Sequence, residues 1–397
     1  MSVDVAIVGA GSAGAAAAWA CASRGLRVVV LERGALGEAG SWWLNGVPTW
    51  AFHEAGLPPP TAPIAHGDDS DAFHMIAGWG PESVVIREHG VREIHMGHLV
   101  ADLQARALAA GAELREGVTV TGRTTRGLRT SEGAIEATWV VDCSGLAGPN
   151  LLGHSPVPRS QLCTAAQQCH ALADESGARA WYAEHGVPWG DRLCFTGLSS
   201  GFSILNVRVH DGEVAILTGA HATGPVSGGR LLDDFVASQS WVGTKLAGGR
   251  RAIPVGPPRL PLARGTVAAL GDSAGQVFAA HGSGIGQQLV AARMLGEALA
   301  AGEGVQGYAQ RWRARFEATL RGSAAFAELS RRIPSDDLAR LVRAGAVPSG
   351  LLKAGLGQRP RLPRPGELAR LMRGLSREPE TASRLGRAVA AMALGGR

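Results

Sequence analysis

Cysteine is scarce in this chain, and what there is lacks a pattern. The five residues stand at 21, 143, 163, 169 and 194, with no C-x-x-C spacing. That argues against a disulfide framework or a thiolate metal site and for a reducing, cytoplasmic setting. The twelve histidines are scattered. His95 and His98 are the closest pair on a predicted helix, and no acidic or thiol partner completes a metal signature, so no metal is expected. Lysine is nearly missing, with Lys245 and Lys353 the whole supply. Long apolar runs are missing too. Val5 to Ala22 is charge-free over membrane length, but it is mostly Gly and Ala, interrupted by three glycines. Asp4 precedes it without a basic segment, so neither a span nor a signal peptide is expected.

Charge is present but uneven. The net charge is +5 over 397 residues. From Gly302 onward there are 18 basic and 8 acidic residues, against 21 and 26 before it. This basic tail suits an anionic membrane surface bearing a lipid substrate, or an acidic carrier protein. A solvated arginine-rich face is the plainer alternative. No recognition motif accompanies the charge, so no nucleic-acid partner is expected.

What the chain does have is glycine in one telling arrangement. The stretch Val3 to Arg33 reads as a buried strand, a turn with Gly9, Gly11 and Gly14 in G-x-G-x-x-G spacing, an alanine-rich helix and a second strand over Arg27 to Leu31, ending at Glu32. Gly9 permits the turn, Gly11 lets backbone approach a pyrophosphate, and Gly14 lets helix pack on strand. The helix start offers N–H groups and partial positive charge to phosphates. Glu32 is placed to accept from a ribose. The chain is therefore read as a dinucleotide-binding α/β protein.

A second glycine cluster narrows the ligand. After a strand over Thr266 to Leu270 come Gly271-Asp272-Ser273-Ala274-Gly275, then His281-Gly282-Ser283-Gly284-Ile285-Gly286, and a helix from Gln287 to Ala301. A carboxylate at a strand end accepts from ribityl hydroxyls, and a helix start near a flavin stabilises the negative charge of its reduced ring. Between the clusters, the pattern predicts a Gly- and Trp-rich loop over 34–50 and a loop with short strands over 53–80. A helix over 98–110 is predicted with Leu99, Leu103 and Leu108 inward, and a strand over 113–121. Further strands are expected at Trp139–Asp142, Arg192–Thr196, Ser203–Val209 and Val214–Thr218. Trp42, Trp43, Trp50 and Trp79 are candidates for an apolar pocket or for core packing.

These motifs resemble the FAD-dependent geranylgeranyl reductase family of the p-hydroxybenzoate hydroxylase-like flavoproteins. The likeness rests on Gly9, Gly11, Gly14, Glu32, the Gly271–Gly275 stretch, Gly282-Ser283-Gly284-Ile285 and the preceding Ile253-Pro254-Val255-Gly256, and it covers residues 1 to about 300. It implies an α/β, Rossmann-like FAD-binding fold (glutathione reductase type 2) with an inserted antiparallel β-sheet substrate domain and a helical C-terminal region. The boundaries expected are 1–155 with 254–301 for FAD, 156–253 for substrate, and 302–397 for the basic helices. FAD contacts are implied at Gly9, Gly11, Ser12, Ala13, Gly14, Glu32, Arg33, Met96, Val120, Gly271, Asp272, Gly282, Gly284, Ile285 and Gly286. Met96 stands where the family often has arginine.

The reaction implied is hydride transfer from reduced FAD to a C=C bond of an apolar or natural-product-like molecule. A monooxygenase is the alternative. A redox-neutral cyclase, a halogenase and a non-catalytic FAD module follow. The Asp-Gly turn followed by Ser and Arg that serves NADPH in aromatic hydroxylases is matched by Ser144-Gly145, with no arginine through Leu151. A separate flavin reductase or ferredoxin is therefore the expected electron donor. A halogenase needs an early lysine and a W-x-W-x-I-P stretch, and the chain has neither. His281 is the candidate catalytic residue, to protonate a substrate carbon or to hydrogen-bond a flavin oxygen.

Overall fold

The structure, a computed structural model, describes residues 2–66, 71–199 and 202–395. The chain forms two compact units: Met1–Gly67 with Val91–Val157 and Pro254–Ser323, and Asp68–Gly90 with Pro158–Ile253 and Ala324–Arg397.

In the first unit the elements that matter are β1 (Ser2–Val8), α1 (Ser12–Ala22), β2 (Val28–Leu31), α2 (Met96–Ala109), β3 (Gly133–Asp142), β4 (Val267–Ala269) and α3 (Ile285–Ala300). An eight-stranded sheet runs Ala263–Arg264, β4, β3, β1, β2, Glu113–Arg115, with Gly127–Thr130 branching from β3 and Val120–Thr124 paired to it. The pairs β4–β3, β3–β1, β1–β2 and β2 with Glu113–Arg115 are all parallel. The apolar runs Val5–Val8 and Val28–Leu31 are buried throughout, as strands covered on both faces must be. A small antiparallel sheet of Leu44–Pro48, Val91–His95 and Ala65–His66 stands beside it.

The alanines of α1 have a packing cause. Ala15 to Ala18 are at most 2% exposed, so the helix is enclosed on every side. A Cβ on Gly296 of α3 would come within 2.5 Å of Ala20 O. Two backbones meet there, and larger side chains would hold them apart.

The second unit is built on a seven-stranded sheet in the order Val242–Pro254, Leu162–Leu172, Glu213–His221, Ser203–His210, Arg192–Thr196, Phe73–Ala77, Ser83–Ile86. Its core gathers Trp181, Tyr182, Phe195, Phe235 and Trp241 under the helices Glu175–Glu184 and Gly228–Ser238. The tail continues as helices Ser335–Arg343, Ser349–Leu356, Pro365–Arg377 and Pro379–Gly395. Pro334 and Pro348 precede two of these starts, where a proline ring ends one helix and sets up the next.

Several expectations need correction. The strand expected over 113–121 is two strands, Glu113–Arg115 and Val120–Thr124, parted by a turn with Gly117 at φ 73°. Residues 53–80 hold the end of a helix, Thr49–Ala55, and a strand, Phe73–Ala77, of the second sheet. That strand is parallel to Arg192–Thr196, so this sheet is not antiparallel throughout and not wholly inserted. Leu99 and Leu103 are buried, but Leu108 is 53% exposed, because the buried stripe continues through Ala107. Trp43 is buried, whereas Trp42 and Trp79 are exposed. The edge strand Val242–Pro254 and its neighbour Leu162–Leu172 carry little alternating pattern, and the sequence does not predict them.

Candidate functional site

The site begins where β1 ends. Gly9 has φ 97°, and a Cβ there would sit 2.7 Å from Cys143 O. At Gly14 a Cβ would sit 1.8 Å from Gly9 O, so only hydrogen fits. Gly11 is the N-cap of α1 and has no side chain to cap it, which leaves the helix start to an anion. A Cβ on Gly11 would lie 3.3 Å from Gly40 Cα, so the Gly- and Trp-rich loop crosses the turn.

Two side chains hold this turn, Glu32 after β2 and Gln104 of α2. Ala10 N–H donates to Glu32 Oε2 (2.8 Å). Gln104 Nε2, from α2, donates to Ala10 O (3.0 Å) and to Leu36 O (3.1 Å). Glu32 Oε1 also accepts from Gly34 N–H (3.2 Å). A carboxylate has about four acceptor positions, so capacity remains for ribose hydroxyls.

The second glycine cluster meets the first. β4 runs into a 3-10 turn, Gly271–Ala274, with Gly271 at φ 83°. A Cβ on Gly271 would stand 2.9 Å from Ala13 Cβ in the first turn of α1. Gly271 N–H donates to Gln276 Oε1 (2.9 Å), Gln276 Nε2 to Tyr308 OH (2.7 Å), and Tyr308 OH to Ala269 O (3.1 Å). Burial pushes the Tyr308 phenol up, so it stays neutral and donates. Ser273 Oγ donates to Asp142 O (2.6 Å), tying the turn to β3. Gly284 is the uncapped N-cap of α3, and a Cβ on it would be 2.4 Å from Gln276 O.

One side chain joins the clusters. Gln288 of α3, buried, accepts from Ser12 Oγ (3.2 Å) and donates through Nε2 to Asp272 Oδ1 (3.0 Å). Residues 12, 272 and 288 thus share one place, with both uncapped helix starts around it.

Most of the expected cofactor residues lie in this cradle: Gly9, Gly11, Ser12, Ala13, Gly14, Glu32, Gly271, Asp272, Gly284, Ile285 and Gly286. Gly282 (φ 64°) shapes the approach to α3. Arg33 is exposed beside Glu32. Val118 N–H donates to Glu32 O (2.9 Å), which brings the buried Val120 to the same sheet end. Met96 is buried at the start of α2, its N–H donating to Trp43 O (3.0 Å), and contributes no charge.

His281 lies in the loop before α3, its ring 5.2 Å from Phe278. Ala280 N–H, beside it, donates to Ser323 Oγ (2.9 Å). His281 keeps part of its surface exposed, yet the burial of its ring lowers the imidazole to about 4, with no charged neighbour contributing. It is therefore neutral near pH 7 and has one N–H to donate. Cys143 touches the cradle as a thiol, since burial raises it well above its ordinary value. Among the described residues no group of three or more His, Cys, Asp or Glu is arranged to hold a metal.

The sequence reading missed Gln104, Gln276, Gln288 and Tyr308. Gln287-Gln288 interrupts an apolar helix, which is a signal for a buried polar role. Gln104 on an amphipathic helix gives none.

Comparison with known proteins agrees with this geometry. Residues 4–60 match the family described as FAD dependent oxidoreductase. The chain is 29% identical over 169 residues to L-aspartate oxidase of Streptomyces coelicolor, covering 36% of this chain and 28% of that protein. The chain thus spans little more than a quarter of that curated relative. Among solved structures, a geranylgeranyl bacteriochlorophyll reductase-like protein of Thermoplasma acidophilum superposes with a TM-score of 0.73, covering 98% of this chain and 99% of that one at 15% identity. The anhydrotetracycline hydroxylase OxyS of Streptomyces rimosus gives 0.62 over 92% and 78% at 21% identity. Flavin-dependent halogenases share the fold as well. The chain shares the fold of these proteins, residues 4–60 carry the match to the FAD dependent oxidoreductases, and FAD is the cofactor.

Proposed function

We propose that this flavoprotein reduces a C=C bond of an apolar, natural-product-like small molecule. The observation that carries this reading is the end-to-end likeness to the reductase-like protein of Thermoplasma acidophilum, over 98% of this chain. When bound, FAD supplies two-electron chemistry.

The chain's own part is holding and orienting. The start of α1 takes the pyrophosphate, Glu32 accepts from the ribose, and Asp272 accepts from ribityl hydroxyls. The start of α3 brings positive potential to the flavin end. A neutral His281 suits a hydrogen bond to a flavin or substrate oxygen better than it suits a resting imidazolium acid. Electrons come from a separate reductase or ferredoxin, a reading supported by the lack of arginine near Ser144-Gly145. The basic tail is read as a peripheral contact; no helix among the described residues is long and apolar enough to cross a membrane. Equal flotation with neutral and anionic liposomes would end the membrane form of that reading.

The test uses the purified, reduced holoprotein with polyprenyl and polyene compounds, analysed by mass. A gain of two hydrogens without oxygen supports reduction. Incorporation of one oxygen atom, from air and with reductant, establishes the second reading, monooxygenation, which the likeness to OxyS favours.

A further inference from the structure

The structure assigns Gln288 a positioning role: with Ser12 it aims the Asp272 carboxylate at the ribityl chain, and Ser12 serves this alignment and not the phosphates. The inference rests on the FAD reading above and adds to it residues and a direction.

The direction follows from donor and acceptor chemistry. An ionised carboxylate only accepts, so the Gln288 amide must turn its NH2 toward Asp272 Oδ1, at 3.0 Å. Its carbonyl oxygen, Oε1, then faces Ser12 Oγ at 3.2 Å and can only accept. The single Ser12 proton is therefore committed to Gln288. What remains on that oxygen is lone pairs, which a phosphate oxygen repels.

Packing fixes the arrangement further. Gln288 is 4% exposed, so its amide is enclosed and both of its ends are bonded within the protein. The bonded order is Ser12 to Gln288 to Asp272, across 276 and 16 residues of sequence. The backbone N–H groups at the uncapped start of α1 are left to bind the pyrophosphate.

FAD and ADP separate the two roles, because ADP has the pyrophosphate but no ribityl chain. Dissociation constants of both for the apoprotein would be measured in Ser12→Ala, Gln288→Ala, Gln288→Glu and Asp272→Ala. The variants at Gln288 and Asp272 are expected to weaken FAD about ten-fold or more, the loss of one charge-assisted hydrogen bond, and Ser12→Ala about three-fold to ten-fold, the loss of a neutral one. ADP affinity should hold within about two-fold, which also shows that the cradle is folded. Gln288→Glu keeps the acceptor for Ser12 but sets a carboxylate against Asp272, so its FAD loss should match or exceed that of Gln288→Ala. Adding Gln288→Ala to Asp272→Ala should cost nothing more.

Proportional loss of ADP and FAD affinity, or losses that multiply in the double variant, would overturn the inference. A wild-type protein that binds ADP but not FAD overturns the FAD reading itself, and this inference with it.

Discussion

The two glycine turns arrive at one cradle by different routes. The first is local: β1, Gly9–Gly14, α1 and β2 follow one another within some thirty residues, and the strands pair directly. The second follows a strand of three residues, and its shape depends on distant partners. Ser273 reaches Asp142, Gln276 reaches Tyr308, and Ala280 N–H reaches Ser323. A local turn carries its instructions in its own spacing. A turn held by tertiary contacts carries much of them elsewhere.

Substitution of the turn glycines should give the largest effects. Gly14→Ala drives a methyl to 1.8 Å from Gly9 O, inside a turn clamped between β1 and β3. Loss of FAD binding by more than about a hundred-fold, or loss of soluble protein, is expected, as for severe overpacking. Gly284→Ala meets Gln276 O at 2.4 Å, a less severe approach than 1.8 Å, and should be damaging but milder. Flavin content and thermal stability of the two variants check the order. Equal damage would erase the distinction between the turns.

Next comes the carboxylate that serves the first turn. Glu32→Ala removes the acceptor of Ala10 N–H as well as the ribose contact. An FAD affinity lower by about ten-fold is expected from one hydrogen bond to a charged group. Titration of the apoprotein reads it. Ser323→Ala, the corresponding loss at the second turn, strands Ala280 N–H and should lower stability by about 1–3 kcal/mol. Urea unfolding at constant m-value is the measurement.

These contrasts explain what was legible. Gly9, Gly11, Gly14 and Glu32 announce themselves because fixed spacing within one strand–turn–helix–strand unit leaves few other structures possible. Asp272 and Gly284 were legible by resemblance. Gln288 and Gln104 were not, because a buried glutamine is recognised by its partners, and those lie 276 and 94 residues away. Leu108 was misplaced for a geometric reason: stepping by four from Leu99 and Leu103 reaches Ala107, while Leu108 is turned outward. The strand Phe73–Ala77 hid in a Pro- and Gly-rich stretch; beside its local partner Ser83–Ile86, the strand that fixes it in the second sheet is more than a hundred residues on.

The smallest expected effect tests the second turn at its centre. His281 has its imidazole lowered to about 4 from an ordinary 6.5, by burial alone. Above pH 6.5 the group is neutral in both folded and unfolded chains and costs nothing. As pH falls below 6.5 the unfolded chain takes up a proton that the fold refuses, so stability declines until about pH 4, where the folded form accepts it too. The slope from this residue cannot exceed about 1.4 kcal/mol per pH unit, the weight of one proton. His281→Asn should flatten the stability profile between those limits and leave it unchanged above pH 7. The first turn holds no histidine, and its one carboxylate, Glu32, accepts two backbone N–H groups. If His281→Asn left the acid slope intact, the folded chain would take up the imidazole proton near its ordinary value, and the place of His281 as a neutral donor at the flavin end would fall with it.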